Sequence, residues 1–550
     1  MASTNLETEA APESKPQENG NPNPSPGLND VVVDVYSASA YGDLEKLRWF
    51  VEKEGHPVSK PDANGYYLLQ WAALNNYTDI AYYVIEHGGN VNAVDGSQQT
   101  ALHWAAVRGA TAAADVLLQN GARLEAADLN GYRAVHIAAQ YGQTGFLYHI
   151  MAKHGADFDA SDTDGRSPLH WSAYKGFVDT VRLLLFKDAY QGRQDKDGCT
   201  PLHWAALRGN AEACTMLLHA GTKKELLVKN RSGFTPAQLA SDNGHQRVAY
   251  MLSNATRVRG NIFEENICSR KMGKIGYAPI LLFIIMILIV LFINSVLAAP
   301  NFPKVTAMVG LWSLSGVSLA FGSLYMLYRC SSKDPGYIKP NSGGSATRAG
   351  GSEDPLSNID IDNSTIWTGN WSQLCPTCKI IRPVRSKHCP TCKHCVEQFD
   401  HHCPWISNCV GKKNKWDFFI FVCLGTLTAF IGASITIHRM WTASPLLSSS
   451  GSWIHQMISE HPGAVAFLVM DSILLNGLIV LTVAQASQIA RNITTNELAN
   501  AVRYSYLRGP EGRFRNPYNH GCQKNCTDFL IRGYSNDDEI AWPSLQQATP

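Results

Sequence analysis

The sequence has almost no net charge: Lys plus Arg number 47 and Asp plus Glu 46 among 550 residues. That balance gives no reason to expect a polyanion, so nucleic acid is excluded as the expected partner and any basic surface has to be local. The 14 cysteines lack the even spread of a disulfide-stapled secreted protein, because seven of them fall between Cys375 and Cys409. A reducing, cytosolic setting is expected for that cluster. The N-terminus has neither the basic start nor the apolar core of a signal peptide. Residues 1–29, punctuated by Pro12, Pro22, Pro24 and Pro26, have too little apolar surface to fold and are expected to form a disordered tail, as are residues 536–550. So long a chain exceeds what one core holds, and several structural units are expected.

One phrase recurs through the first half: TALHWAA from Thr100, YRAVHIAA from Tyr132, SPLHWSA from Ser167 and TPLHWAA from Thr200, marked by His103, His136, His170 and His203. The spacing matches the roughly 33-residue period of ankyrin repeats. Degenerate copies start at Leu68 and Thr235, and AYGDLEKL from Ala40 adds a seventh, so residues 30–256 are expected to form a helical solenoid with a concave binding side. The repeated histidines are expected to hold the turn before each first helix, not a metal. Trp71, Trp104, Trp171 and Trp204 share one place in successive repeats. They either pack between inner helices or line a peptide groove.

Residues 277–299, 305–328, 417–438 and 463–487 are each near or above the roughly 20 apolar residues that cross a bilayer. Arg257, Arg259, Arg270, Lys271 and Lys274 precede the first span, Arg329 and Lys333 follow the second, and Arg491 and Arg503 follow the fourth, whereas the other two loops are nearly free of Lys and Arg. Both termini, the linker at 329–372 and the segment at 488–535 are therefore expected in the cytosol. The N-x-S/T triplets at Asn254, Asn363, Asn370, Asn492 and Asn525 all fall on that side, out of reach of glycosylation. Asp471 sits inside the fourth span, where a carboxyl is costly; Asn476 and small neighbours offer it an interhelical bond, and its role stays open.

Between the second and third spans stands CPTCKIIRPVRSKHCPTCKHCVEQFDHHCPWISNCVG from Cys375. Seven cysteines with His388, His394, His401 and His402, grouped in CxxC pairs, are what closed tetrahedral zinc sites require, although spacing alone does not choose among the ligands. Residues 373–415 resemble the DHHC cysteine-rich domain of protein S-acyltransferases, named for the tetrad Asp400, His401, His402 and Cys403, and the likeness includes RPxR at Arg382, Pro383 and Arg385 and NCVGxxN from Asn408 to Asn414. Further family marks are Asp334-Pro335-Gly336, Thr494-Thr495-Asn496-Glu497 and NPYNHGCQKN from Asn516, and the ankyrin-bearing plant and animal members are the nearest in layout.

The resemblance implies a mostly α protein: an ankyrin solenoid, then a four-helix membrane domain with a two-zinc cytosolic module between helices two and three. It assigns one structural zinc to Cys375, Cys378, His388 and Cys395 and the other to Cys389, Cys392, His402 and Cys409. Cys403 is left without a metal, as a nucleophile must be. Neighbours in an extended segment point oppositely, so His402 can hold zinc while His401 serves as base to Cys403 with Asp400 orienting it. The implied reaction is ping-pong transfer of a palmitoyl or other long acyl group from acyl-CoA to membrane-proximal cytosolic cysteines of other proteins. Arg382, Arg385, Lys412 and Lys413 are expected to meet CoA phosphates. Thr494, Thr495, Glu497 and Asn516 are expected to brace the site, and Asn75 with Trp104 to capture substrate peptides. A multi-pass endomembrane location, at the Golgi with the plasma membrane or vesicles as further sites, is implied by resemblance only.

Overall fold

The computed structural model of the chain describes residues 32–264, 276–339, 371–443, 453–509 and 512–534. The expected tails at 1–29 and 536–550 and most of the 329–372 linker lie outside them. The chain divides into two compact units, Met1–Ala138 and Ala139–Pro550.

The first unit contains the helix pairs Val35–Tyr41 with Leu44–Glu52, Leu68–Leu74 with Thr78–Glu86, and Ala101–Arg108 with Thr111–Gln119, and the start of Ala134–Tyr141. The AYGDLEKL stretch thus forms a helix pair of its own. The repeated phrase explains each start: Thr100 N donates to His103 Nδ1 at 3.1 Å, which caps the first helix. The proton is then on Nε2, which donates to Tyr132 O at 2.9 Å one repeat later. Burial lowers the pKa of His103, keeping the ring neutral for that double role.

In the second unit the same device recurs at His170 and His203, with burial pulling their pKa values down to about 3 and about 4. Its pairs are Pro168–Lys175 with Val178–Phe186, Pro201–Leu207 with Ala211–Ala220, and Pro236–Asp242 with Gln246–Glu264, preceded by Thr144–His154. The tryptophans are packing residues: Trp104 is 2% exposed and donates to Asp95 Oδ2 at 3.0 Å, and Trp204 donates to Asp195 Oδ2 at 2.8 Å.

Among the described residues, four helices of the second unit are long and apolar enough to cross a membrane: Ala278–Leu297, Ala307–Ser332, Lys415–Ala443 and Pro462–Ala490. The third runs between the second and the fourth. Glycines let them close up, since a Cβ at Gly316 would meet Ile431 at 3.1 Å and one at Gly425 would meet Leu478 at 3.5 Å. Thr426 and Thr482 hydroxyls bond at 2.8 Å between the third and fourth helices. Buried Asp417 is held by Arg329 at 3.0 Å and Lys333 at 2.6 Å, pinning the end of the second helix to the start of the third.

Candidate active site and metal centres

The cysteine-rich segment folds into three antiparallel hairpins: Leu374–Cys375 with Ile380–Ile381, Lys387–Cys389 with His394–Val396, and His401–Cys403 with Asn408–Val410. Register does the sorting. His388 faces Cys395 across the second hairpin and His402 faces Cys409 across the third, so each pair offers two ligands on one face. Successive side chains on a strand point oppositely, which sends Cys389 to a different face from His388 and His401 to a different face from His402.

Two groups of four donors result: Cys375, Cys378, His388 and Cys395, and Cys389, Cys392, His402 and Cys409, each with its ligand atoms within 4.8 Å of one another. A tetrahedral zinc at ordinary bond lengths separates sulfur from nitrogen by about 3.5 Å. His388 Nδ1 lies 3.6, 3.2 and 3.8 Å from the sulfurs of Cys375, Cys378 and Cys395, and His402 Nδ1 lies 3.4 and 3.6 Å from those of Cys392 and Cys409. The donor chemistry and spacing fit zinc at both places. His394, outside both groups, is exposed and rests on the Tyr337 ring at 4.8 Å.

The turn of the third hairpin repeats those of the first two without the second thiol, although its strands still supply His402 and Cys409 to the second metal group. CPTC at Cys375, CPTC at Cys389 and CPWI at Cys403 follow at a fixed interval, and Ile406 stands where the second thiol would be. In the first two loops the amides of Cys378 and Cys392 donate to Cys375 Sγ and Cys389 Sγ at 3.4 Å. Cys403 keeps the loop amides, those of Ile406 and Trp405, without the zinc. Burial raises its pKa, but the hydrogen bond from His401 and these amides outweigh that and lower it.

His401 Nδ1 bonds Asp400 Oδ2 at 2.7 Å, and its ring meets the edge of Phe418 at 5.5 Å. Burial lowers the His401 pKa, yet Asp400 and Cys403 together raise it to about 9. Asp400 is 1% exposed. Burial would raise its pKa, but Lys415 and His401 hold it well below the usual carboxylate range. Lys415 Nζ donates to Oδ1 at 2.8 Å, and Thr495 donates through its amide at 3.0 Å and its hydroxyl at 2.7 Å. Lys415 was not among the expected site residues. In sequence it reads as an interfacial cation opening the third apolar run, and only folding brings it to Asp400.

Thr495 is delivered by a cap. Thr494 N donates to Glu497 Oε2 at 2.8 Å and Glu497 N to Thr494 Oγ1 at 3.1 Å, starting the short helix Thr495–Ala499. Glu497 is in turn held by Arg385, with Nε to Oε1 at 2.7 Å and Nη2 to Oε2 at 2.9 Å. Arg385 also donates to Asn492 Oδ1 at 3.0 Å, and Asn516 Nδ2 donates to Arg491 O at 2.7 Å. The expectation that Arg385 meets CoA is therefore corrected: its side chain is 1% exposed and saturated by internal acceptors. Arg382 donates to Gln373 O and Ser372 O, Lys412 lies 3.6 Å from Glu397, and Lys413, 54% exposed, lies 3.3 Å from Asp334.

The third hairpin is stapled to the same ends of all four membrane helices. Tyr277 N donates to Pro404 O at 3.0 Å before the first, Asn408 Nδ2 to Cys330 O at 3.0 Å late in the second, Lys415 opens the third, and Thr495 follows the fourth. Cys403, 7% exposed, packs among Met326, Leu327, Phe418, Phe421 and Val422 of those helices. In the first unit, Asn75 and Trp104 are not equivalent. Trp104 is buried, whereas Asn75 borders an open depression of about 370 Å³ and accepts from exposed Arg108 at 2.9 Å.

The DHHC palmitoyltransferase family matches residues 369–502, and ankyrin repeats match 35–128, 122–195 and 188–261. The chain is 57% identical over 525 residues to "Probable protein S-acyltransferase 23" of Arabidopsis thaliana, covering 96% of this chain and 97% of that protein. It is 30% identical over 202 residues to palmitoyltransferase ZDHHC17 of Danio rerio, 36% of this chain and 31% of that one. With human palmitoyltransferase ZDHHC9 it shares 31% over 177 residues, 32% and 44% of the two chains. Near-complete coverage at that first identity, together with the tetrad and its two metal groups, makes the chain a member of the DHHC palmitoyltransferase family.

Proposed function

We propose that this protein moves a palmitoyl or similar acyl group from acyl-CoA to cysteines of other proteins through a thioester on Cys403. The observation that carries the reading is Cys403 itself. It is the thiol of the cluster outside both metal groups, it is hydrogen-bonded to His401, and it faces the membrane helices. Cys403 gives its proton to His401, and Sγ attacks the thioester carbonyl. The CoA thiolate leaves and takes the proton from His401. An incoming substrate thiol then loses its proton to His401 and attacks the acyl-enzyme, and the departing Cys403 thiolate takes that proton back from His401. Asp400 fixes the imidazole and favours its charged form. The two groups of four would each hold a zinc, which would supply a rigid frame for the hairpins.

The cytosolic side is assigned to the hairpin face by the Lys and Arg flanking it, which puts CoA in water and the acyl tail among the spans. Arg382, Lys412 and Lys413 are the cations proposed for CoA phosphates. The ankyrin depression at Asn75 is proposed to hold substrate segments, with Trp104 as its packing support. Residence in endomembranes, the Golgi foremost, completes the reading and is checked by imaging a tagged chain against compartment markers. The decisive experiment is incubation of the purified protein with a labelled palmitoyl-CoA analogue. A hydroxylamine-sensitive label is expected on the wild type and none on Cys403→Ser; equal labelling of both overturns the assignment.

A further inference from the structure

The turn of each hairpin ends in a residue with left-handed backbone: Lys379 after the first CPTC, Lys393 after the second and Ser407 after CPWI, with φ of 54°, 62° and 54°. The side chain at this corner is a point of attachment in the third hairpin, where Ser407 Oγ accepts from Ala278 N at 3.2 Å as the first membrane helix begins. In the second hairpin the corner residue, Lys393, is exposed. In the first, Lys379 reaches the ankyrin repeats of the same compact unit.

Lys379 Nζ donates to Leu185 O and Phe186 O, each at 2.8 Å, and so closes the C-terminal end of the helix Val178–Phe186. A cation there satisfies carbonyls that the helix leaves open and meets the negative end of its dipole. The same ammonium lies 2.5 Å from Asp188 Oδ1 and 5.7 Å from the centre of the Phe186 ring. Asp188 is 83% exposed, so that ion pair adds little and the two carbonyls carry the contact. Trp371, which leads into the first hairpin, is buried and meets the Tyr148 ring edge-on at 5.6 Å. The helix Val178–Phe186 also lies against the 3₁₀ turn Trp371–Gln373 and the strand Leu374–Cys375. The first knuckle is therefore a socket for the later repeats, and the Lys379 contacts lie outside the network of Asp400, His401 and Cys403.

We propose that Lys379 is a positioning residue for the second half of the reaction: it fixes the later ankyrin repeats on the module that carries Cys403, so that an acceptor protein gripped by the repeats meets the acyl-enzyme from one direction. The inference rests on the function proposed above and adds how the acceptor is selected. Loosening the grip at Lys379 lets a bound acceptor sample a wider volume, which lowers its effective concentration at Cys403. Loading of Cys403 from acyl-CoA needs no acceptor and is left as it was.

The test uses the full chain. Purified in lipid nanodiscs, it is assayed for label on Cys403 from a palmitoyl-CoA analogue and for acyl transfer to a myristoylated Gly-Cys peptide too short to engage the repeats. Expressed in cells that lack it, it is assayed for S-acylation of those membrane proteins that lose their thioester with Cys403→Ser, read by exchanging thioesters for a tag. Lys379→Ala should keep both zincs by elemental analysis, with Cys403 label and peptide transfer unchanged, while acylation of those proteins falls about tenfold, the size of a charged hydrogen bond lost. Amide hydrogen exchange across residues 184–190 and 371–375 should speed by a similar factor. Lys379→Arg, which still donates to carbonyls, should restore the wild-type values. If Lys379→Ala loses zinc, Asp188→Lys decides in its place: it sets a repelling charge beside Lys379 from an exposed position and should give the same split at about threefold. The inference is overturned if the variant with zinc intact acylates those proteins as the wild type does, or if peptide transfer falls as far as theirs. Absence of Cys403 label on the wild type, or of any protein whose acylation needs Cys403, sinks the proposed function instead.

Discussion

Replacing Arg385 separates two roles that its sequence context leaves open. Its guanidinium and the Glu497 carboxylate are each 1% exposed, and four hydrogen bonds tie Arg385 to Glu497 and Asn492. Removing one member of a buried ion pair strands the other charge and costs about 3–5 kcal/mol. Arg385→Ala should therefore lower the stability of the cysteine-rich module by about that much. Glu497 then loses its hold on the helix that presents Thr495 to Asp400, so the rate of Cys403 acylation should fall with little change in KM for acyl-CoA. Glu497→Ala should look the same. The double variant should cost at least about 1 kcal/mol less than the sum of the two, because neither charge is then stranded. Limited proteolysis against denaturant, with zinc retention as a second probe, reports the stability, and single-turnover acylation reports the chemistry. A raised KM for acyl-CoA in Arg385→Ala, with additive single and double variants, would refute the reasoning and return Arg385 to the CoA site.

Asp400→Asn keeps the shape but removes the charge that orients His401, and acylation measured in single turnover should drop about 10³–10⁴-fold with both zincs retained by elemental analysis. Cys392→Ser removes a ligand of the second metal group, so zinc per chain should fall from two towards one and Cys403 labelling should be lost, because the third hairpin shares that site through His402 and Cys409. Trp104→Ala deletes a side chain that is 2% exposed and should destabilise the repeats by about 3–5 kcal/mol, whereas Asn75→Ala should weaken peptide binding measured by calorimetry and leave the melting of the array unchanged. A sequon placed between residues 298 and 306 should acquire glycan in microsomes while Asn254, Asn492 and Asn525 stay bare; glycan at any of those three would reverse the proposed topology.

Much of this architecture is written in local patterns. The ankyrin array follows from a phrase recurring at a fixed period, since each repeat can bury its apolar face only against a neighbour. The spans follow from unbroken apolar length, and the paired thiols announce zinc, but which histidine joins which thiols was implied only by resemblance and is set by hairpin register. All of these depend on residues close in the chain or on simple alternation along a strand. That Cys403 is the thiol without a metal came from resemblance, and the two groups of donors that the fold brings together leave it outside both.

Tertiary structure decided what depends on distant partners. Arg385 reads as a phosphate contact until folding sets it against Glu497, which lies after the fourth span, and Lys415 reads as an interfacial anchor until folding sets it against Asp400. The tryptophan ladder left a groove and a core equally open until each indole N–H proved to be spent on a turn aspartate such as Asp95 or Asp195. Spacing along one strand or helix fixes which side chains share a face, but a charge's partner across more than 80 residues is set by how the helices pack, and packing energy is a property of the assembled surfaces.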